Sequence, residues 1–265
     1  MKLGPSELHV WLAFDRQLAA RPLVEAFAAL LDAGERERAE RFRSDEHAHQ
    51  FLVTRALQRS VLSCYAPQTA PADWRFVAGE RGKPELAPEF AGYGLRFNIS
   101  HTASLVVMAI TRAHSVGVDV ECLDARAAPL ALATRYFTSS EARQLAGLPA
   151  TEQQRHFYRL WTLKEAWLKA TGTGVAEGLA GVSFDFDAAG QVGRVTMPVD
   201  DHSYWQFWQG QPSEQHLMAI AAGNPWSPLT LSVFRRLPAA ALEFESQPAL
   251  PLVADTSGQE QRPQA

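Results

Sequence analysis

Apolar and polar residues alternate from the start of the chain. Leu8, Val10, Leu12 and Phe14 take every second position of Glu7–Asp15 (ELHVWLAFD), a period of two that predicts a strand. The period then changes. Pro22 to Asp32 reads as a short helix, with proline at its start and Gly34 just beyond its end. Residues 35–43 (ERERAERFR) are a charge run, expected to form a solvated helical face. Residues 45–64 predict a longer helix burying Phe51, Leu52, Ala56, Leu57 and Val61, ended by Pro67 and Pro71. A short strand is expected around Trp74–Val77, then a turn-forming loop (GERGKPEL), then strands at 95–98 and 104–112.

The second half repeats this order. A strand is predicted at 116–122 (VGVDVEC). Thr138 and Glu141 stand in capping-box spacing before a short helix that Gly147 stops. Thr151 and Gln154 repeat the spacing before a long helix reaching Ala170, ended by T-G-T-G at 171–174. Strands follow at 182–187, 203–209, 216–222 and 228–235. The order strand, helices, strands thus occurs twice, about 110 residues apart, and predicts an α/β (α+β) fold of two similar halves. The expected boundaries are 1–114 and 115–242. From Glu243 the chain is rich in Pro, Gln, Ser and Ala without periodicity, so 243–265 is expected to lack order.

Composition narrows the class of protein. The 265 residues are 46% hydrophobic and 20% charged, ordinary for a soluble globular chain. No stretch predicts a transmembrane helix, and no secretory signal is expected at the N-terminus. The two cysteines, Cys64 and Cys122, form no CxxC pair; a reducing cytoplasm suits them, and a thiolate zinc site is disfavoured. The net charge of −4 argues against a nucleic-acid partner. Residues 1–114 carry 14 Lys and Arg against 13 Asp and Glu, whereas 115–265 carry 11 against 16. A site for an anionic ligand is therefore easier to build in the first half.

Three carboxylates stand out. Asp119 and Glu121, two apart on a strand, point to one face, while Val116, Val118 and Val120 mark that strand as buried. Carboxylates so placed are costly unless paired or metal-bound. Glu165 lies in FYRLWTLKEAWLKATG, on one helical stripe with Trp161 and Lys169. A hard cation such as Mg²⁺ takes one to three carboxylates plus water and substrate phosphate oxygens, and these three could form that set. Each taken alone is more readily a local salt bridge. Candidate cations for a phosphate ligand are Lys164, Lys169, Lys83 in G-K-P, Arg55 in the 45–64 helix, and His101 beside Ser100 in F-N-I-S-H. T-G-T-G lacks the phosphate-loop pattern, and no G-x-S-x-G is present, so no covalent enzyme intermediate is suggested. What remains is metal-assisted transfer at phosphorus.

Together these motifs resemble the phosphopantetheinyl transferases of the surfactin-synthetase-activating type. That signature joins V-G-V-D, here at 116–119, to W-T-L-K-E-A-W-L-K, here at 161–169, with 41 residues between Asp119 and Trp161. Every specified position matches; at the first position of the second block the signature accepts either Trp or Phe. G-K-P at 82–84 and F-N-I-S-H at 97–101 resemble two further family blocks in the expected order.

The resemblance implies two halves related by pseudo-twofold symmetry, with coenzyme A bound in the cleft between them. It implies Asp119, Glu121 and Glu165 as ligands of Mg²⁺ and Lys169 on the pyrophosphate with Lys164 close by. It also implies Ser100 and His101 on the phosphates, and Lys83 and Arg55 toward the adenosine end. Asp119, Glu165 and Lys169 would be the catalytic residues. The activity implied is transfer of the 4′-phosphopantetheine arm from coenzyme A to a serine of an apo acyl, polyketide or peptidyl carrier protein, leaving 3′,5′-ADP. A cytoplasmic monomer without a membrane partner is expected. Candidates for the carrier-docking face are the long helix before Trp161 and the stretch 123–140 with Arg126, Arg135, Tyr136 and Phe137. A non-catalytic module that binds coenzyme A or a carrier would be expected to have lost a carboxylate or Lys169. A nucleotide-dependent phosphotransferase would carry a glycine-rich loop.

Overall fold

A computed structural model describes residues 1–79, 82–124, 129–173, 178–187, 190–198, 204–223, 228–235, 252–255 and 262–263. The chain divides into two compact units, Met1–Ala113 with Leu231–Pro248 and His114–Thr230 with Ala249–Ala265.

The first unit begins with β1 (Glu7–Phe14), followed by α1 (Arg21–Leu30), α2 (Ala33–Glu40) and α3 (Asp45–Tyr65). A small hairpin comes next, β2 (Phe76–Ala78) and β3 (Pro84–Leu86), then the long strands β4 (Leu95–Thr102) and β5 (Leu105–Arg112). β5 pairs antiparallel with β1 on one side and β4 on the other. Leu57 and Val61 of α3 join Trp11, Phe97, Val106 and Met108 of the sheet in one core, as the alternation in each strand requires. The charge run forms α2, which buries nothing and is held at its start by a reciprocal cap between Asp32 and Glu35.

The second unit runs β6 (Ser115–Cys122), α4 (Pro129–Tyr136), α5 (Ser139–Gly147) and α6 (Ala150–Thr171). The hairpin β7 (Ser183–Phe186) and β8 (Val192–Met197) and the long strands β9 (Trp205–Ser213) and β10 (His216–Gly223) follow. β10 pairs antiparallel with β6 and β9. In both units the opening strand therefore lies beside the last long strand, and a long helix and a small hairpin come between them in sequence. β11 (Thr230–Phe234) then joins the edge of β1 in the first unit's sheet.

The Thr138–Glu141 capping box forms as expected. The Thr151–Gln154 box does not: α6 starts earlier, with Pro149 at its N-cap and no side-chain cap. Proline fixes the turn there, and Gln154 instead donates to the Leu123 carbonyl, 2.6 Å away. Within 243–265, expected to lack order, β12 (Leu252–Asp255) pairs with β9, and β13 (Arg262–Pro263) with β8. An open strand edge accepts such an addition through backbone bonds alone, which composition does not reveal. Arg126 and Gly174 lie outside the described residues. Among the described residues no helix is long and apolar enough to cross a membrane.

Candidate active site

The site begins with a glycine. An ideal Cβ on Gly117 would lie 2.0 Å from the Ala166 carbonyl oxygen and 2.4 Å from the Ala170 nitrogen, so α6 lies directly on β6 here. Only a residue without a side chain permits that approach. Asp119 and Glu121, two and four positions on, share the face of Gly117 and point toward α6. Opposite them on β10 stand Ala221, Ala219 and Leu217. Two residues of strand rise about 6.7 Å and four residues of helix about 6 Å, so the D-x-E step on β6 matches the i, i+4 step on α6. Asp119 thus meets Glu165 and Lys169, and Glu121 meets Trp161, whose indole N–H donates to its carboxylate.

The charges do not balance. Lys169 Nζ donates to Asp119 Oδ1 at 2.5 Å, with Lys169 30% exposed and Asp119 6%. Among the described residues, three carboxylates gather around the Lys169 ammonium. Burial pushes the Glu165 carboxyl up to about 7, and Asp119 adds to the rise while Lys169 opposes it. Glu121 is likewise raised to about 7, first by burial and then by Asp119, with Glu165 contributing. Glu165 Oε1 is buried without a hydrogen-bond partner. Among the described residues no three His, Cys, Asp or Glu side chains already stand as a closed ligand cluster. Mg²⁺ does not need one, since it keeps several waters and substrate oxygens. Surplus buried carboxylate and an unsatisfied oxygen fit a hard divalent cation.

Lys164 stands apart from the other candidates. It lies five positions before Lys169, about 140° around the helix, and so faces away from the carboxylates. Its ammonium is fully buried and paired with Glu141 Oε2 at 2.9 Å. It donates also to the Leu179 carbonyl at 2.7 Å and to the Val182 carbonyl. Those partners use its three protons. Lys164 ties α6 to α5 and to the segment before β7, and has nothing left for a phosphate.

The remaining candidates belong to the first unit. Ser100 is buried and His101 exposed; neighbours on β4, they face opposite sides of the sheet, so the strand does not present both to one surface. Lys83 is half-buried beside β3, its ammonium lowered by burial, with Glu85 opposing and Arg96 adding to the effect. Arg55 Nη1 donates to Gln58 at 2.7 Å, and Nε lies 3.4 Å from Glu35 Oε1. Its guanidinium sits over Phe51. A carboxylate already faces Arg55, and the residue joins α2 to α3.

Two features escaped the sequence reading. A glycine between β-branched residues on a strand signals a close backbone approach, and V-G-V-D carried that sign. Glu141 appeared only as a capping residue, yet it is buried, pairs with Lys164 and accepts from the Phe184 N–H at 3.1 Å; nothing in the sequence gave its second task.

The family model described as "4'-phosphopantetheinyl transferase superfamily" matches residues 115–221, and that described as "4'-phosphopantetheinyl transferase, N-terminal" matches 19–113. The chain is 34% identical to 4'-phosphopantetheinyl transferase HetI of Nostoc sp. over 230 residues, 86% of this chain and 93% of that protein. It is 32% identical to 4'-phosphopantetheinyl transferase Sfp of Bacillus subtilis over 203 residues, covering 76% and 86% respectively.

Proposed function

The chain belongs to the 4′-phosphopantetheinyl transferase superfamily, and from that premise we propose that it transfers the 4′-phosphopantetheine arm of coenzyme A to a serine of an apo carrier protein, with Mg²⁺ bound. The observation that carries the chemistry is the grouping of Asp119, Glu121 and Glu165 with Lys169 where β6 meets α6. Those three carboxylates are the residues to hold the cation. When bound, Mg²⁺ supplies charge neutralisation on the pyrophosphate oxygens. Lys169, partly exposed and paired with Asp119, stands beside the same carboxylates and adds to that neutralisation.

The serine oxygen forms a bond to the β-phosphorus, the bond from that phosphorus to the bridging oxygen breaks, and 3′,5′-ADP leaves. The serine proton goes to Glu165 or to a water that Glu165 orients, since a serine hydroxyl needs a base to attack near neutrality. Lys83, Ser100 and His101 are assigned to coenzyme A on the motif resemblance; Arg55 and Lys164 are not. The enzyme is proposed to act as a cytoplasmic monomer, consistent with Cys64 and Cys122 being free thiols.

The test is the intact mass of apo carriers from fatty-acid, polyketide and peptide synthesis after incubation with the protein, coenzyme A and Mg²⁺. One phosphopantetheine arm should be gained, and the gain lost with chelator. Asp119→Ala should lower turnover by orders of magnitude with the fold intact, and near-normal activity in it would break the metal assignment. No gain on any carrier, with coenzyme A still bound, would make this a non-catalytic binding module.

A further inference from the structure

Trp161 is half-buried on α6 and packs against Phe157 at 5.5 Å, Tyr136 at 6.2 Å and Phe137 at 6.4 Å between ring centroids. These partners fix the plane of its indole from α4, from the turn after α4, and from its own helix. Its one polar atom is the indole N–H, and that donates to Glu121. Glu121 sits near the end of β6, half-buried, and its side chain has one more rotatable bond than that of Asp119, which Lys169 holds. We infer that Trp161 is a positioning residue for Glu121: a ring locked by α4 and α6 aims one carboxylate of the cation site through its N–H.

This inference rests on the proposed function of the same site and extends it. The signature does not demand this hydrogen bond, because it accepts Phe as well as Trp at this position and a Phe has no donor to offer. Packing and aiming are therefore separable: Phe fills most of the volume and keeps the aromatic contacts, but leaves the carboxylate undirected. A group that orients a ligand from behind typically changes metal affinity ten- to a hundred-fold when lost.

The test uses the full-length protein and Mn²⁺ as a paramagnetic probe, titrated in the presence of coenzyme A. Trp161→Phe should weaken Mn²⁺ binding by about tenfold. It should also raise the Mg²⁺ concentration for half-maximal transfer in parallel, with KM for the apo carrier and the melting temperature little changed. Phe157→Leu, which disturbs the packing but keeps the N–H, should lower the melting temperature and leave Mn²⁺ affinity near wild type. In a Glu121→Gln background the Trp161→Phe change should have no further effect on Mn²⁺ affinity. Unchanged Mn²⁺ binding in Trp161→Phe, or an equal loss in the Glu121→Gln background, would overturn the inference while transfer by the wild type left the proposed function standing. A wild-type protein that neither binds Mn²⁺ nor modifies any carrier would overturn both.

Discussion

Glu121 and Glu165 still hold protons where an ordinary glutamate has lost them. Their carboxyls are raised from 4.5 to about 7, chiefly by burial and then by Asp119. Between those values the native state binds more protons than the unfolded chain, so stability falls as pH rises through about 4.5 to 7. Melting temperatures of the metal-free protein should therefore decline across that interval, and Glu165→Gln should flatten the decline. Added Mg²⁺ should raise the melting temperature above pH 7 and do little at pH 5, because protons compete for the same oxygens. A flat profile in the wild type would contradict this burial of charge. The two lysines of the motif part company at the same scale. Lys164→Met leaves Glu141 buried without its cation and should cost about 3–5 kcal/mol in urea unfolding. Lys169→Ala also leaves Asp119 buried without its cation, so it should lower stability, though less than Lys164→Met because Lys169 is 30% exposed, and it should remove most transfer activity. Both lysines stand in one short motif, and the residue types alone could not separate them. What separates them is helix phase, together with Glu141, which comes from elsewhere in the sequence.

At the scale of elements, the contact of β6 with α6 is the tightest constraint described. Gly117→Ala puts a methyl against helix backbone, which cannot yield as a flexible side chain would. The expected loss is about 1–3 kcal/mol in denaturant unfolding, accompanied by reduced transfer as α6 moves off the strand. If stability drops while metal affinity and turnover hold, the strand and helix do not need this spacing. The alternation in β1 and the apolar stripes of α3 and α6 were legible because each buries one face at its own period. β3 and β8 were not: each is the second strand of a small hairpin, and β3 is three residues long and opens on a proline. α4 was not among the predicted helices because A-R-A-A before Pro129 offers no Ser, Thr, Asp or Asn cap, and Tyr136 and Phe137 hold it by packing on α6. The Thr151–Gln154 reading failed for the opposite reason, a correct local pattern overruled by Pro149 two residues earlier.

At the scale of the molecule, the sequence showed the same order of elements twice, and the two sheets share their core connectivity, β1-β5-β4 and β6-β10-β9. It did not show that the chain returns through β11, whose Phe234 stacks on Trp11 at 4.6 Å and meets His9 at 5.1 Å. Phe234→Ala should destabilise the first unit by roughly 1–2 kcal/mol, read as a shift in the tryptophan fluorescence transition. No shift would mean that β11 is dispensable to that core. The matched rise of strand and helix also says where length can vary. Adding one residue inside β6 between Gly117 and Glu121 would turn a carboxylate to the wrong face, and adding one inside α6 between Trp161 and Lys169 would swing the stripe by about 100°. The connections between the end of β6 and the start of α6 carry no such metric. Insertions there, in the connections flanking α4 and α5, can lengthen or shorten the chain without altering the distance between the two halves of the motif, which makes that stretch the natural place to splice in a tag or a second domain.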